Sequence, residues 1–141
     1  MDFARAACAL CAVSWALAPA LALAASPFDG FWMILKSDNS LDPASQVEFK
    51  VDKHLVTMNT PMGASYKARP DGSDAAMEND ANTTSVSVRV QGANTLVQTD
   101  KNNGKPWRVV TMEMQPDGKT IKVSWKNLTN NRTGQYTLSR Q

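Results

Sequence analysis

Apolar and polar residues alternate along much of the chain, and this alternation predicts β-strands. Residues 85–91 carry valine at every second position, and residues 47–52 alternate apolar with charged side chains. A period of two turns one set of side chains toward a core and the other toward solvent. We count eight or nine predicted strands and no convincing helix, with a turn signal between successive strands.

The clearest hairpin lies in residues 105–126, KPWRVVTMEMQPDGKTIKVSWK. Pro116 presets φ at the second turn position, and Gly118 accepts the left-handed backbone. A four-residue loop, 116–119, makes one face apolar and places a charge pair and a hydroxyl pair on the other, each worth roughly 0.2–1 kcal/mol. A three-residue loop would mix the two faces, so we predict four residues. The opposed pairs are then Met114/Ile121, Met112/Val123, Val110/Trp125, Glu113/Lys122 and Thr111/Ser124.

The first half of the chain is less regular. Residues 28–36 are apolar on both faces and predict the first strand, and residues 37–45, which are rich in turn formers, predict a loop. Residues 70–84 form the longest polar tract, with four acids and almost no periodicity. A loop of that length is functional or disordered, so it could be a lid, a protein-contact loop or plain disorder. Further strands are predicted at 54–59, 63–69, 95–100 and 134–140.

Successive hairpins of this kind predict one all-β domain over residues 26–141. An antiparallel meander closes most economically into an up-and-down barrel. An open sandwich is the alternative, because periodicity alone does not show closure.

The N-terminal residues differ in character from the rest. A basic Arg5 precedes the small and apolar run 6–17, and Ala22 and Ala24 offer the small residues of a cleavage site. We therefore predict a cleaved signal peptide over residues 1–24 and no membrane span after its removal. The alternative, a retained membrane anchor, needs a longer apolar run.

Cleavage at that site changes the cysteine count and the expected compartment. Cys8 and Cys11 both lie in the predicted signal peptide, so the mature domain would rely on its core and not on disulfides. Such a domain suits a bacterial periplasm, or secretion. The net charge of +2 is too small and too dispersed to favour nucleic-acid binding.

Three ordered motifs resemble a family of small secreted bacterial proteins with a lipocalin-like barrel. These are FDGFW, YKARPDGSD and QPDGKTIKVSW followed by GQYTLSR, and together they cover essentially all of the mature chain. The resemblance implies that an arginine of the last strand packs over a tryptophan of the first strand and closes one barrel end. The matching positions are Arg140 and Trp32, with Gly30 preceding the tryptophan in the Gly-x-Trp motif.

A barrel of about eight strands is either filled by side chains or just hollow enough for one small ligand. On the predicted hairpin register, Arg108 shares the apolar face. A buried cation needs a partner, so Arg108 lies at an open rim or awaits an anionic ligand group. The alternative is a solvated strand-end arginine above a solid core. The predicted ligand-binding residues are Tyr66, Arg108, Val110, Met112, Met114, Trp125 and Tyr136.

We predict no metal site and no cofactor. His54 is the single histidine, and it reads as a surface or strand-end residue. A copper(I) site built from His54 and Met58, Met62, Met112 and Met114 is conceivable, but methionine more often fills core space. No nucleophile, base and acid fall in a catalytic pattern, so we expect no enzyme activity.

The sequence therefore predicts a non-enzymatic periplasmic or secreted protein that binds a small apolar or amphipathic ligand. The alternative is a protein-interaction module, such as an inhibitor or an envelope accessory protein. It would act through loops at one barrel end, with residues 70–84 as the expected contact to a protein partner.

Overall fold

A computed structural model of the chain describes residues 25–141, and these residues form one closed antiparallel β-barrel. Each strand pairs with its neighbours in the chain, and the first strand pairs with the last. The predicted up-and-down barrel is confirmed, with ten strands in place of eight or nine, and the open sandwich is wrong. The strands are β1 (Gly30–Leu35), β2 (Leu41–Val51), β3 (Val56–Asn59), β4 (Ser65–Ala68), β5 (Asp71–Glu78), β6 (Ser85–Gln91), β7 (Thr95–Asn102), β8 (Lys105–Met114), β9 (Thr120–Asn127) and β10 (Thr133–Arg140).

The predicted signal peptide, residues 1–24, lies outside the described residues. Within residues 25–141, no helix is long and apolar enough to cross a membrane.

The β8–β9 hairpin has the predicted register, and all five predicted pairs are observed. Asp117 fixes the loop, because its carboxylate accepts hydrogen bonds from the backbone N–H groups of Lys119 and Thr120 at 2.8 and 2.9 Å. Gly118 has a φ of +65°, as the turn requires. The apolar face of the hairpin points into the barrel, so its register decides which side chains reach the interior.

The predicted loop 37–45 is wrong in its second half, because β2 already begins at Leu41. The register between β1 and β2 shifts there, and a side chain bridges the irregular pairing. The Ser45 hydroxyl oxygen accepts a hydrogen bond from the Ile34 N–H at 2.7 Å and donates one to the Asp42 carbonyl oxygen at 2.7 Å. Turn-forming residues thus extend the strand instead of ending it.

The prediction of a long loop at residues 70–84 is also wrong, because most of it is strand β5. A register shift after Asp71, with Gly72 at a φ of +86°, interrupts the alternation near the start of the strand. Beyond it, Ala75 and Met77 are the partly buried residues of this strand that pack against the core. These few apolar residues are too small a signal to mark a strand in the sequence. A short turn, 79–84, remains.

The two ends of the barrel differ. We call closed the end that contains Phe28, Trp32 and Arg140, and open the opposite end, with the turns 60–64 and 79–84. Phe28 and Trp32 are at most 1% exposed. The core continues from the closed end with residues from most strands: Val51, Val56, Ala68, Val88, Leu96, Met114, Ile121 and Val123.

Arg140 closes the barrel as the family resemblance implies. Its guanidinium lies 4.3 Å from the centre of the Trp32 ring, and its N–H groups donate to the carbonyl oxygens of Pro27 and Asp29. The Trp32 indole N–H donates to the Phe28 carbonyl at 2.8 Å. Gly30 has a φ of +124°, and a Cβ there would lie 2.9 Å from the Arg140 Nη1. The structural roles predicted for Gly30, Trp32 and Arg140 therefore fit one contact.

Candidate ligand-binding cavity

A cavity of about 590 Å³ occupies the open half of the barrel. Its wall is largely apolar, and residues of the turns 60–64 and 79–82 contribute to its rim. Cavities of roughly 300–1,000 Å³ with apolar walls and a few polar groups are the usual form of small-molecule sites. The main apolar wall residues are Phe49, Met58, Met77, Val110, Met112, Trp125 and Leu138.

The structure brings five of the seven predicted binding residues to this cavity: Arg108, Val110, Met112, Trp125 and Tyr136. Three of them share the inward face of β8, and the other two lie on β9 and β10. The correct hairpin register explains this grouping, since it placed Trp125 opposite Val110.

The other two predicted residues are not part of the cavity wall. Met114 is 8% exposed and lies at the closed-end terminus of β8, where it belongs to the solid core. Tyr66 is 2% exposed, and its ring is buried in the core. Alternation shows that a side chain points inward, but it does not show how far along the barrel the interior is filled.

Arg108 lies at the cavity and has a protein partner. The Nε and Nη2 groups of Arg108 both lie 2.6 Å from the Oδ2 atom of Asp100, which is directly opposite on β7. Asp100 is fully buried, whereas the Arg108 side chain keeps 36% of its surface exposed. Asp100 thus satisfies the need for a counter-charge that the sequence raised. One face of the guanidinium also lies over Trp107, 4.7 Å from the ring centre.

A chain of hydrogen bonds extends from Asp100 across the interior. Gln98 Nε2 donates to the Asp100 Oδ1 atom at 2.6 Å, and the Tyr66 hydroxyl donates to Gln98 Oε1 at 2.9 Å. Tyr66, Gln98 and Asp100 are all buried. With Arg108 they form what we call the polar chain, in which the Tyr66 hydroxyl and the Gln98 amide point toward the carboxylate. Hydrogen-bonded networks of this kind fix side-chain positions inside a core.

The two tyrosines respond differently to these surroundings. Burial raises the pKa of Tyr66 far above its ordinary value, and the negative charge of Asp100 raises it further. Partial burial also raises the pKa of Tyr136, where Arg108 acts in the opposite direction and Asp100 in the same direction. Both side chains are therefore neutral hydrogen-bonding groups near neutral pH.

Trp125 owes its position to a small neighbour. Gly134 lies opposite it on β10, and a Cβ at Gly134 would fall 2.5 Å from atoms of the indole ring. The glycine therefore leaves the space that the tryptophan occupies beside the cavity. No other residue type fits there without moving the ring.

Sequence reasoning missed Gln98 and Asp100. Both follow Leu96 at every second position on β7, so alternation alone would have turned them inward. Their polarity argued for the opposite face, because buried polar residues are uncommon unless they are paired. The signal that could have found them is the cross-strand pairing of Asp100 with Arg108.

The hypothetical copper site is not assembled in the structure. His54 is an exposed residue in the turn between β2 and β3, at the closed end, whereas Met58, Met62 and Met112 line the cavity in the open half. Within residues 25–141 no cluster of three or more histidine, cysteine or acidic side chains is arranged to hold a metal ion.

Comparison of the chain with protein families, with curated proteins and with solved structures found no match. The resemblance to lipocalin-like proteins therefore stays a prediction.

Proposed function

We propose that this protein is a non-enzymatic binding protein for a small apolar or amphipathic molecule, which it holds in the barrel. The observation that carries the proposal is the cavity of about 590 Å³ with its largely apolar wall. Burial of apolar ligand surface would supply the affinity, at roughly 25 cal/mol per Å². The predicted signal peptide supports action in the periplasm or outside the cell.

The wall composition supports a ligand of variable shape. Met58, Met62, Met77 and Met112 all contribute to the cavity. Methionine is unbranched and polarizable, so it adapts to different apolar surfaces. A polar group is also present at the cavity, because Arg108 and Gln98 reach it, and this favours an amphipathic ligand over a pure hydrocarbon.

Native mass spectrometry of the protein purified from its own periplasm tests the proposal. We expect a retained mass of a few hundred daltons, or uptake of a hydrophobic dye by the emptied protein. Met112→Trp should weaken both, because the larger side chain takes up part of the cavity. Lys126→Ala is the matched control, since Lys126 is exposed on β9 beside Trp125 and does not line the cavity.

A bare polypeptide mass with no uptake from lipid or dye mixtures would refute the proposal. Equal uptake by Met112→Trp and the unchanged protein would place any bound molecule outside the cavity, with the same consequence. Circular dichroism of each variant shows whether the barrel is intact.

One observation favours the second candidate, a protein-interaction module. Met62 is 88% exposed and Leu128 is 41% exposed, and both lie in open-end turns. Exposed apolar side chains at one rim could contribute to a contact with a partner protein. Because residues 71–78 are a strand, the contact proposed for 70–84 is reduced to the turn 79–84 at the same rim. Crosslinking in intact cells from a photoreactive residue at position 62 tests this candidate.

A further inference from the structure

The charges around the cavity narrow the class of ligand. Among the described residues that line it, Arg108 and Asp80 are the ones with a formal charge. Asp80 is at the rim, and its Oδ1 atom is engaged by the backbone N–H groups of Asn82 and Thr83. Arg108 is paired with Asp100 immediately behind the wall. The site therefore has no uncompensated positive charge to attract an anion.

Arg108 still has donors to offer. Its contacts to Asp100 involve Nε and Nη2, and within residues 25–141 Nη1 donates to no protein atom. Asp100 and the Trp107 ring hold the guanidinium in place from two sides. A positioned N–H group beside the apolar part of the cavity wall favours a ligand that carries a matching acceptor.

We propose that the cavity selects an uncharged ligand with a hydrogen-bond acceptor, such as an ester, ketone or amide carbonyl, which accepts from Arg108 Nη1. Asp100 sets this preference, because it cancels the charge of Arg108 while leaving Nη1 available. This inference rests on the proposed function, since it requires that the cavity hold a ligand. It assigns a specificity-determining role to Asp100, which lies behind the wall.

The rest of the polar chain maintains that arrangement. Gln98 donates to Asp100 Oδ1 at 2.6 Å, so that oxygen already has a partner when Oδ2 accepts from Arg108. A carboxylate ligand would compete with Asp100 for the same guanidinium and would meet its negative charge. A cationic ammonium group would face the Arg108 guanidinium, which has donors but no acceptor to offer it. Both charged classes would also lose their hydration on entering the apolar cavity.

Competition binding with four matched ligands tests the proposal. The ligands have the same chain length and end as a methyl ester, a carboxylate, an amine or a plain alkane, and each displaces a hydrophobic dye at neutral pH. We expect the ester to bind about tenfold more tightly than the alkane, the gain typical of a hydrogen bond to a charged group. The carboxylate and the amine should bind more weakly than the ester.

Asp100→Asn should reverse the order of ester and carboxylate. It removes the charge that cancels Arg108, so the cavity acquires an uncompensated cation and should favour the carboxylate. Asp74→Asn is the matched control, because Asp74 is an exposed acid on β5, paired with Lys101 and absent from the cavity wall. It should leave the order unchanged.

A second variant covers the case in which Asp100→Asn does not fold. The double substitution Asp100→Leu and Arg108→Met replaces the ion pair by apolar side chains, an exchange that folded proteins often tolerate. The ester should then lose its advantage over the alkane.

The outcomes distinguish failure of the proposed ligand preference from failure of the proposed binding function. Equal binding of all four ligands, or preference of the unchanged protein for the carboxylate, would overturn the inference and leave the binding function in place. An ester preference that survives Asp100→Asn would remove the role of Asp100. Failure of the dye and of all four ligands to bind would refute the proposed function itself.

Discussion

The closed and open ends of this barrel are built from the same strands but differ in how far side chains fill the interior. At the closed end, large apolar side chains fill the space, and Arg140 covers Trp32 from outside the core. At the open end the interior is partly empty, and a partly exposed Arg108 in the wall is paired with the buried Asp100 behind it. Ten strands enclose more room than the eight that side chains readily fill. Side chains fill the interior at the closed end, whereas at the open end they line a cavity.

The two ends therefore differ in what holds them together. The closed end draws its stability from burial, which is non-directional and tolerates few losses of volume. The open end depends on directed contacts, in which each donor needs its acceptor. Substitutions at the two ends should therefore lower stability for different reasons, and a second substitution should compensate for the loss only at the open end.

Trp32→Ala should have the largest effect on stability. It opens a hole in the closed end, removes the indole N–H bond to Phe28 and takes the ring from under Arg140. Loss of a fully buried tryptophan costs about 3–5 kcal/mol. Urea unfolding measures the change in the free energy of unfolding. A loss below about 1 kcal/mol would show that the closed end does not carry the stability assigned to it.

Arg108→Met should have the second largest effect and lower the free energy of unfolding by about 3 kcal/mol. This is the lower end of the range for breaking a buried ion pair, because Arg108 is partly exposed. The cause is the buried carboxylate of Asp100, which would lose its counter-charge. Adding Asp100→Leu should restore part of the lost stability, because it removes the unpaired charge but leaves Gln98 Nε2 without its acceptor. No neighbouring change restores Trp32→Ala. A double-mutant cycle, measured by urea unfolding, gives the coupling energy between Arg108 and Asp100. Purely additive losses would mean that the pair has no energetic coupling.

Tyr66→Phe should have the smallest of the three effects, about 1–2 kcal/mol. It leaves Gln98 Oε1 buried without its donor. The polar chain then loses its end but not its ion pair. Thermal or urea unfolding at neutral pH measures the loss, and an unchanged stability would show that the Tyr66 hydroxyl bond contributes nothing net.

The same variant should also change the response to alkaline pH. Because the pKa of Tyr66 is raised in the folded protein, this residue holds its proton above pH 10, where the unfolded chain releases it. The unfolded state then binds fewer protons, so stability is complete below about pH 10 and falls as the pH rises further. Tyr66→Phe should unfold with a shallower dependence on pH in this range. Identical slopes in both proteins would contradict the assignment.

The sequence predicts the regular strands of this barrel well and its irregular strands and buried polar residues poorly. Alternation and turn chemistry predict the strands around the β8–β9 hairpin and its register, because one face there is uniformly apolar. They fail at β5, where Gly72 shifts the register and alanine replaces larger apolar residues. The burial of Gln98 and Asp100 was not predicted, because burial of polar groups depends on partners that are remote in sequence.

The contact between Arg140 and the first strand joins residues 111 positions apart in the chain. During synthesis, one edge of β1 therefore stays unpaired until β10 has been made. The most recently made strand also has one unpaired edge. Open edges of this kind can pair with other chains. Closing so long a loop also costs entropy that local hairpins do not. The barrel should form late and in one concerted step, so a chaperone that shields strand edges would act between the synthesis of β1 and that of Arg140.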